Sequence, residues 1–271
     1  DLSISTFPFY QTNDFARLLH VKCDNCATTW VPSFDFDLDK YYEKRYAHNV
    51  QPWREYQGEF YSKNNAFLKS KTYKTMLNRA MRHVNLLNIV ADESVLEIGP
   101  GVGIALSIIP SKYLYASELD IHCQKILQKE LNVQLIDIQS TTKKFDKILI
   151  SHVIEHLRMD ELTVFLKTIK GLLKNDSELL IEVPCGADQV ERVSKDGGRG
   201  NVIFEPHTIS FSTYGLYKIL SKSGFDVRKI SLDKSFKNLA QGCSSNLINS
   251  NCEILSEDMS GGGVVCICRI D

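Results

Sequence analysis

The sequence predicts an α/β protein built on a doubly wound, mostly parallel sheet, and three observations predict it. Short apolar runs alternate with amphipathic segments from about residue 91 onward. The run Val95-Leu96-Glu97-Ile98 passes at once into Gly99-Pro100-Gly101-Val102-Gly103, the pattern of a buried strand that turns sharply toward a helix. Carboxylates close the next two apolar runs, Glu118 and Asp137, at the spacing of about 20 residues that strand–helix units give. The chain has 271 residues, 43% apolar and 24% charged, so it can bury one large core and carry a small appendage.

The elements follow in order. Residues 1–35 read as a small β-rich appendage around His20-Val21-Lys22-Cys23-Asp24-Asn25-Cys26. Residues 36–90 are polar, aromatic and helical, a lid or substrate region crowded with Tyr41, Tyr42, Tyr46, Trp53, Tyr56, Phe60 and Tyr61. Within them, Lys71 to Leu87 carries Tyr73, Met76, Leu77, Ala80, Met81, Val84 and Leu87 at helical spacing. Residues 91–271 form the α/β domain. Ser94–Ile98 is its first strand, and Ile104–Ile109 a helix that Pro110 ends. Tyr113–Ser117 is a strand, His122–Leu131 a helix, Val133–Ile136 a short strand, and Phe145–Ser151 a long one. Met159–Lys174 is a helix with Leu162, Phe165, Leu166, Ile169, Leu172 and Leu173 on one face. Glu178–Val183 is a strand. Ser212 caps a helix that stops at Gly224. Phe225–Ile230 and Val264–Ile270 close the sheet. Residues 231–263, rich in Ser, Asn and Gly, read as a long loop or a functional insertion.

Thirty-two basic residues face thirty-three acidic ones, for a net charge of −1. No global field draws such a chain to nucleic acid or an anionic membrane. No apolar run is long enough to span a bilayer, and the opening residues lack the signal-peptide pattern. Eight scattered cysteines suit free thiols in a reducing cytoplasm. The expected location is cytoplasmic. The expected partners are a small-molecule substrate and a second copy of the chain, with neither nucleic acid nor membrane.

The glycine spacing is G-x-G-x-G, with Glu97 inside the strand before it and Glu118 and Asp137 ending the next two strands. Phe145-Asp146 and Glu155-His156-Leu157 then bracket the fourth strand. In this order the set resembles the class I S-adenosylmethionine-dependent methyltransferases, in particular the small-molecule branch, over roughly residues 70–230. His207, Phe211-Ser212, Leu216, Leu220 and Gly224-Phe225 resemble a further element of that family. The resemblance implies a Rossmann-like sheet of seven strands with the last antiparallel, and S-adenosyl-L-methionine as cofactor. It implies Glu97, Gly99, Gly101 and Gly103 around the methionine end, Glu118 on the ribose, and Leu119, Asp137 and Ile138 at the adenine. Ser151 and His152 would wall the same site.

A second likeness concerns the N-terminus. Cys23-x-x-Cys26, Trp30-Val31-Pro32 and Tyr41-Tyr42 resemble the zinc-ribbon lead-in of sugar methyltransferases. Tetrahedral zinc needs four ligands, and the second knuckle is missing. His20 and His48 are poor replacements, so the cysteines read as packing residues and no metal is expected. By similarity to the sugar enzymes, His156 or His207 takes the acceptor's proton, with Glu205 and Tyr46 beside it. Each histidine also reads as a buried, hydrogen-bonded one, and the sequence does not choose. Sugar C-methyltransferases place Glu directly before this histidine. Here Pro206 stands there, with Glu205 one position earlier, so oxygen or nitrogen is the expected acceptor atom. Gly186–Gly200 reads as a substrate loop. The rival readings are a binding subunit that has lost turnover, and a protein or RNA methyltransferase.

Overall fold

The computed structural model describes residues 2–3, 21–32, 59–186, 207–232, 248–255 and 263–270. Tyr46 and Glu205, the other tyrosines of 41–56, His20, His48, Cys243 and nearly all of the 186–200 loop lie outside them. The chain forms two compact units, residues 35–149 and residues 1–34 with 150–271. In the first unit, α1 (Lys71–Leu87) starts on Ser70, whose side chain accepts the Tyr73 N–H, and ends on Asn88 in the left-handed conformation. It buries Ala80, His83 and Leu87, while Met81 stays 49% exposed. β4 (Ser94–Ile98) is buried at every residue and pairs in parallel with β5 (Tyr113–Ser117). Asp120 caps α2 (Ile121–Leu131) by accepting the His122 N–H at 2.8 Å. β6 (Gln134–Leu135) lies parallel to β5. Asp146, in β7 (Phe145–Ser151), accepts from the Ser94 N–H at 2.8 Å and the Ser94 hydroxyl at 2.6 Å. The Phe-Asp pair is therefore an anchor for the start of β4.

In the second unit, α3 (Met159–Leu172) runs straight into β8 (Leu173–Pro184). α4 (Thr213–Lys222) is capped by Ser212, whose side chain accepts the Gly215 N–H. β10 (Asp226–Ser231), β11 (Glu253–Leu255) and β12 (Gly263–Arg269) complete the sheet. β12 runs antiparallel to both β8 and β10, as expected for the last strand. The strand order of the large sheet is β11-β10-β12-β8-β7-β4-β5-β6. It holds eight strands where seven were expected. The extra one, β11, pairs in parallel with β10 and comes from the 231–263 insertion.

The N-terminal segment forms β1 (Leu2–Ser3), β2 (Val21–Cys23) and β3 (Thr29–Trp30), which join β9 (Ile209–Ser210) in a four-stranded antiparallel sheet. Close packing ties this hairpin to α4. The Ser212 hydroxyl donates to the Cys26 carbonyl, and a Cβ on Gly215 would stand 1.7 Å from the Thr28 hydroxyl oxygen. The Cys23–Cys26 turn is thus folded onto the second unit. Among the described residues no cysteine forms a disulfide, and burial pushes the Cys266 and Cys268 thiols upward.

Candidate active site

The glycine turn lies in the first unit, at the carboxyl ends of parallel strands, where open α/β sheets hold ligands. Gly99, Gly101 and Gly103 all have positive φ, +65°, +58° and +81°. Only glycine adopts three such conformations so close together at little cost. The expected helix over 104–109 is instead a run of overlapping turns. Ser107 N–H bonds the Gly103 carbonyl four residues back, whereas Ile108 N–H bonds Ala105 only three back. The turn's own amides are also engaged. Gly99 N–H donates to the Ser117 carbonyl at 2.9 Å, Gly103 N–H to the Pro100 carbonyl at 3.0 Å, and Gly101 N–H to Glu118 Oε2 at 2.8 Å. The glycines therefore supply shape more than free N–H donors. No atom lies within 4 Å of the place a Gly101 Cβ would occupy.

Glu97 is 6% exposed, and its Oε2 is buried without a hydrogen-bond partner. Burial, and then the nearby Glu118 charge, push its carboxyl up to about 8. The folded state holds this proton where the unfolded chain, with an ordinary value of 4.5, releases it. The resulting stability is complete below the unfolded value and lost as pH rises through about 8. Glu97→Gln should remove that slope and stabilise the free protein at pH 8 by roughly 2–5 kcal/mol. Urea denaturation of both proteins between pH 5 and 9 checks this, and parallel curves would contradict it.

Glu118 links the turn to the following loop. Its second oxygen accepts the Asp120 N–H at 2.8 Å, and burial raises its pKa. Leu119 beside it is 90% exposed. Asp137 is exposed and accepts from the Gln139 N–H and the Ser140 hydroxyl, both at 2.9 Å, which lowers its pKa. Ile138 next to it is half-buried. Tyr61 was missed as a neighbour of the turn. Its hydroxyl donates to the Val102 carbonyl at 3.0 Å, and the Phe60 and Tyr61 amides both bond the Glu130 carboxylate at 2.8 Å.

A second cluster lies in the other unit. Ser151 ends β7, and His152 follows at φ +57°, a strained conformation for a non-glycine residue. The His152 N–H donates to the Glu182 carbonyl at 3.0 Å. A single 3-10 turn over Ile154–His156 then buries Glu155, which is 1% exposed. Three imidazoles face its carboxylate. His152 Nδ1 stands 3.2 Å, His156 Nε2 3.9 Å and His207 Nε2 4.0 Å from Oε1. None supplies an aligned hydrogen bond to either oxygen. Burial opposes ionisation of Glu155, but His152 beside it and the charges of His156 and His207 outweigh burial and hold the carboxyl below its ordinary range. The His156 and His207 rings meet edge to face with centroids 4.8 Å apart. Buried Glu182 places Oε1 3.9 Å from His152 Nε2 and Oε2 3.4 Å from the Ser151 hydroxyl.

Buried Thr208 brings His207 to this place. Its N–H donates to the Glu155 carbonyl at 2.8 Å, and its own carbonyl accepts the Val31 N–H at 2.9 Å. The structure thus unites His156 and His207, 51 positions apart in the chain, with Ser151 and His152. Glu155 was read from the sequence only as part of the Glu155-His156-Leu157 motif, with no role of its own, and Glu182 was not singled out. A signal was there: Glu182 interrupts Leu179-Leu180-Ile181 and Val183, just as Glu97 interrupts its own apolar strand. A charge placed in a buried strand has a large desolvation cost that stability alone does not explain.

Comparison with known proteins agrees with this architecture. Residues 46–230 match the family described as Methyltransferase domain. A search of curated proteins finds no match. Among solved structures, magnesium protoporphyrin IX methyltransferase from Synechocystis, with bound S-adenosylhomocysteine, is 12% identical with a TM-score of 0.55. It covers 87% of this chain and 100% of its own. An S-adenosylmethionine-dependent methyltransferase from Clostridium acetobutylicum is 13% identical with a TM-score of 0.51, covering 86% of this chain and 97% of its own. One from Thermotoga maritima is 18% identical with a TM-score of 0.50, covering 76% and 97%. At these identities the likeness is one of fold. The chain belongs to the methyltransferase-domain family and is a class I methyltransferase. Its cofactor is S-adenosylmethionine. Among the described residues, no helix is long and apolar enough to cross a membrane.

Proposed function

We propose that the protein transfers a methyl group to an oxygen or nitrogen atom of a small polar metabolite, such as a sugar, a sugar nucleotide or a phosphorylated intermediate. The observation that carries this reading is the histidine cluster on Glu155, a proton-handling group. When bound, S-adenosylmethionine supplies a methyl group already activated on a sulfonium. The turn suits that group: the orphaned Glu97 Oε2 matches a cationic ammonium, and the clear space at Gly101 leaves room beside the backbone. Glu118 would accept from the ribose hydroxyls, and Leu119, Asp137 and Ile138 would flank the adenine. The exposed Leu119 side chain favours that assignment. His156 or His207 would take the acceptor's proton, with the Glu155 carboxylate facing both rings.

Balanced charge weighs against an RNA acceptor. The assay is calorimetry with S-adenosylhomocysteine, followed by methyl-transfer assays on sugar nucleotides, peptides and RNA. Turnover on peptides or RNA alone would overturn the small-molecule reading. Binding without turnover on any acceptor would favour the binding-subunit rival. Glu118→Ala should weaken cofactor binding by about 1–3 kcal/mol, because it removes a charged acceptor and frees the Gly101 and Asp120 amides. Unchanged affinity on titration would sink that assignment.

A further inference from the structure

We propose that Glu155, His156 and His207 form a binding site for a divalent first-row transition-metal ion. Their ligating atoms lie within 4.8 Å of one another. Ligands held about 2.0–2.2 Å from an ion stand roughly 3–4.4 Å apart. Glu155 Oε1 already lies at 3.9 Å and 4.0 Å from the two Nε2 atoms. Seating an ion therefore needs movements of tenths of an ångström.

The buried carboxylate is an independent observation. Glu155 is 1% exposed, and neither of its oxygens receives an aligned hydrogen bond. A carboxylate taken out of water in that state needs a cation. Protonated histidines would meet the need in part, but their nitrogens stand at ion-pair distance and not in hydrogen-bond alignment. An ion between the three side chains would satisfy all of them together. Two imidazoles and one carboxylate suit zinc, manganese, iron or cobalt better than magnesium, which prefers oxygen ligands. Three protein ligands also leave coordination positions open for an exchangeable ligand.

The surroundings are built to hold such a set. His152 Nδ1, 3.2 Å from Glu155 Oε1, is placed to orient the carboxylate, as partners of metal ligands do. The Thr208 N–H bond to the Glu155 carbonyl keeps His207 against the turn that carries Glu155 and His156, and the Thr208 carbonyl ties it to Val31. The Cys23–Cys26 turn, where the sequence directs attention for metal, contributes none of these ligands.

The site deepens the proposed function, and its role in turnover rests on that reading; the binding itself does not. An open metal position accepts a hydroxyl and makes it a stronger acid. His156 and His207 would then act as ligands of the ion, and neither alone would be the base.

The test uses the full chain, incubated separately with Zn²⁺, Mn²⁺ and Co²⁺, desalted, and analysed by elemental mass spectrometry. Visible absorption of the Co²⁺ form reports the ligand geometry. About one ion per chain is expected, and Glu155→Gln and His207→Asn should each weaken retention at least about tenfold. Folding is followed by circular dichroism. His156→Gln, at a side chain 26% exposed, is the variant least able to disturb the core and should lose the ion equally. Cys23→Ser should keep it. No retained ion in folded wild-type protein would overturn the proposal. So would equal retention in the three site variants, or loss in Cys23→Ser. Calorimetry with S-adenosylhomocysteine on chelator-treated protein separates the two ideas. Binding there with no metal site leaves the methyltransferase reading intact, and retained metal without cofactor binding leaves the site intact.

Discussion

At least one of His156→Ala and His207→Ala is expected to turn over about 10²–10⁴-fold more slowly than the wild type, with cofactor affinity nearly unchanged. The size follows from removing a positioned proton acceptor. The unchanged affinity follows because neither residue belongs to the glycine turn. The pattern of loss also discriminates. A direct base predicts one large loss, at the base itself, and a smaller one at its neighbour. A shared metal ion predicts that both variants, and Glu155→Gln with them, fall together with metal content. Steady-state rates at saturating cofactor and acceptor make the comparison. If both alanine variants keep more than about a tenth of the wild-type rate, neither histidine serves as base. The acceptor would then lose its proton to water, or be an anion already, such as a phosphate or carboxylate oxygen.

Gly101→Val should abolish detectable cofactor binding while leaving a folded protein. Two costs combine. At φ +58° a β-branched residue is strained by about 1–3 kcal/mol. Its side chain also projects into space where the free protein has no atom within 4 Å, so the fold survives but the ligand's room is taken. Gly103→Val makes the contrast. There a Cβ would stand 2.5 Å from Leu127 Cδ2 and 2.9 Å from Leu131 Cδ1, so that variant should lose stability first. Thermal unfolding and calorimetry of both variants separate ligand exclusion from core damage. Normal binding by a folded Gly101→Val would remove the turn from the cofactor site.

Much of this protein was legible in its sequence where local chemistry decides the outcome. The ranges of β4, β5, β7 and α1 are read directly, because apolar runs and helical spacing report burial. Ser212 was recognisable as a cap, and Glu118 as the acid ending β5. The segment 104–109 misled for a local reason of another kind. Its apolar content suits a helix, but three left-handed glycines and the three-residue bonds of Gly103 to Pro100 and Ile108 to Ala105 break the regular ladder.

The sequence by itself determined the class of fold, the glycine turn with its flanking acids, and hence the cofactor. These depend on residues within one strand–turn unit or on the regular repeat of such units. Only the tertiary structure decided that β11 adds an eighth strand, that the N-terminal hairpin pairs with β9, and that Glu155 gathers three histidines. The reason is distance along the chain. His207 reaches Glu155 through the backbone bonds of Thr208, and that pairing is set by how separate segments pack, which no spacing of residue types records.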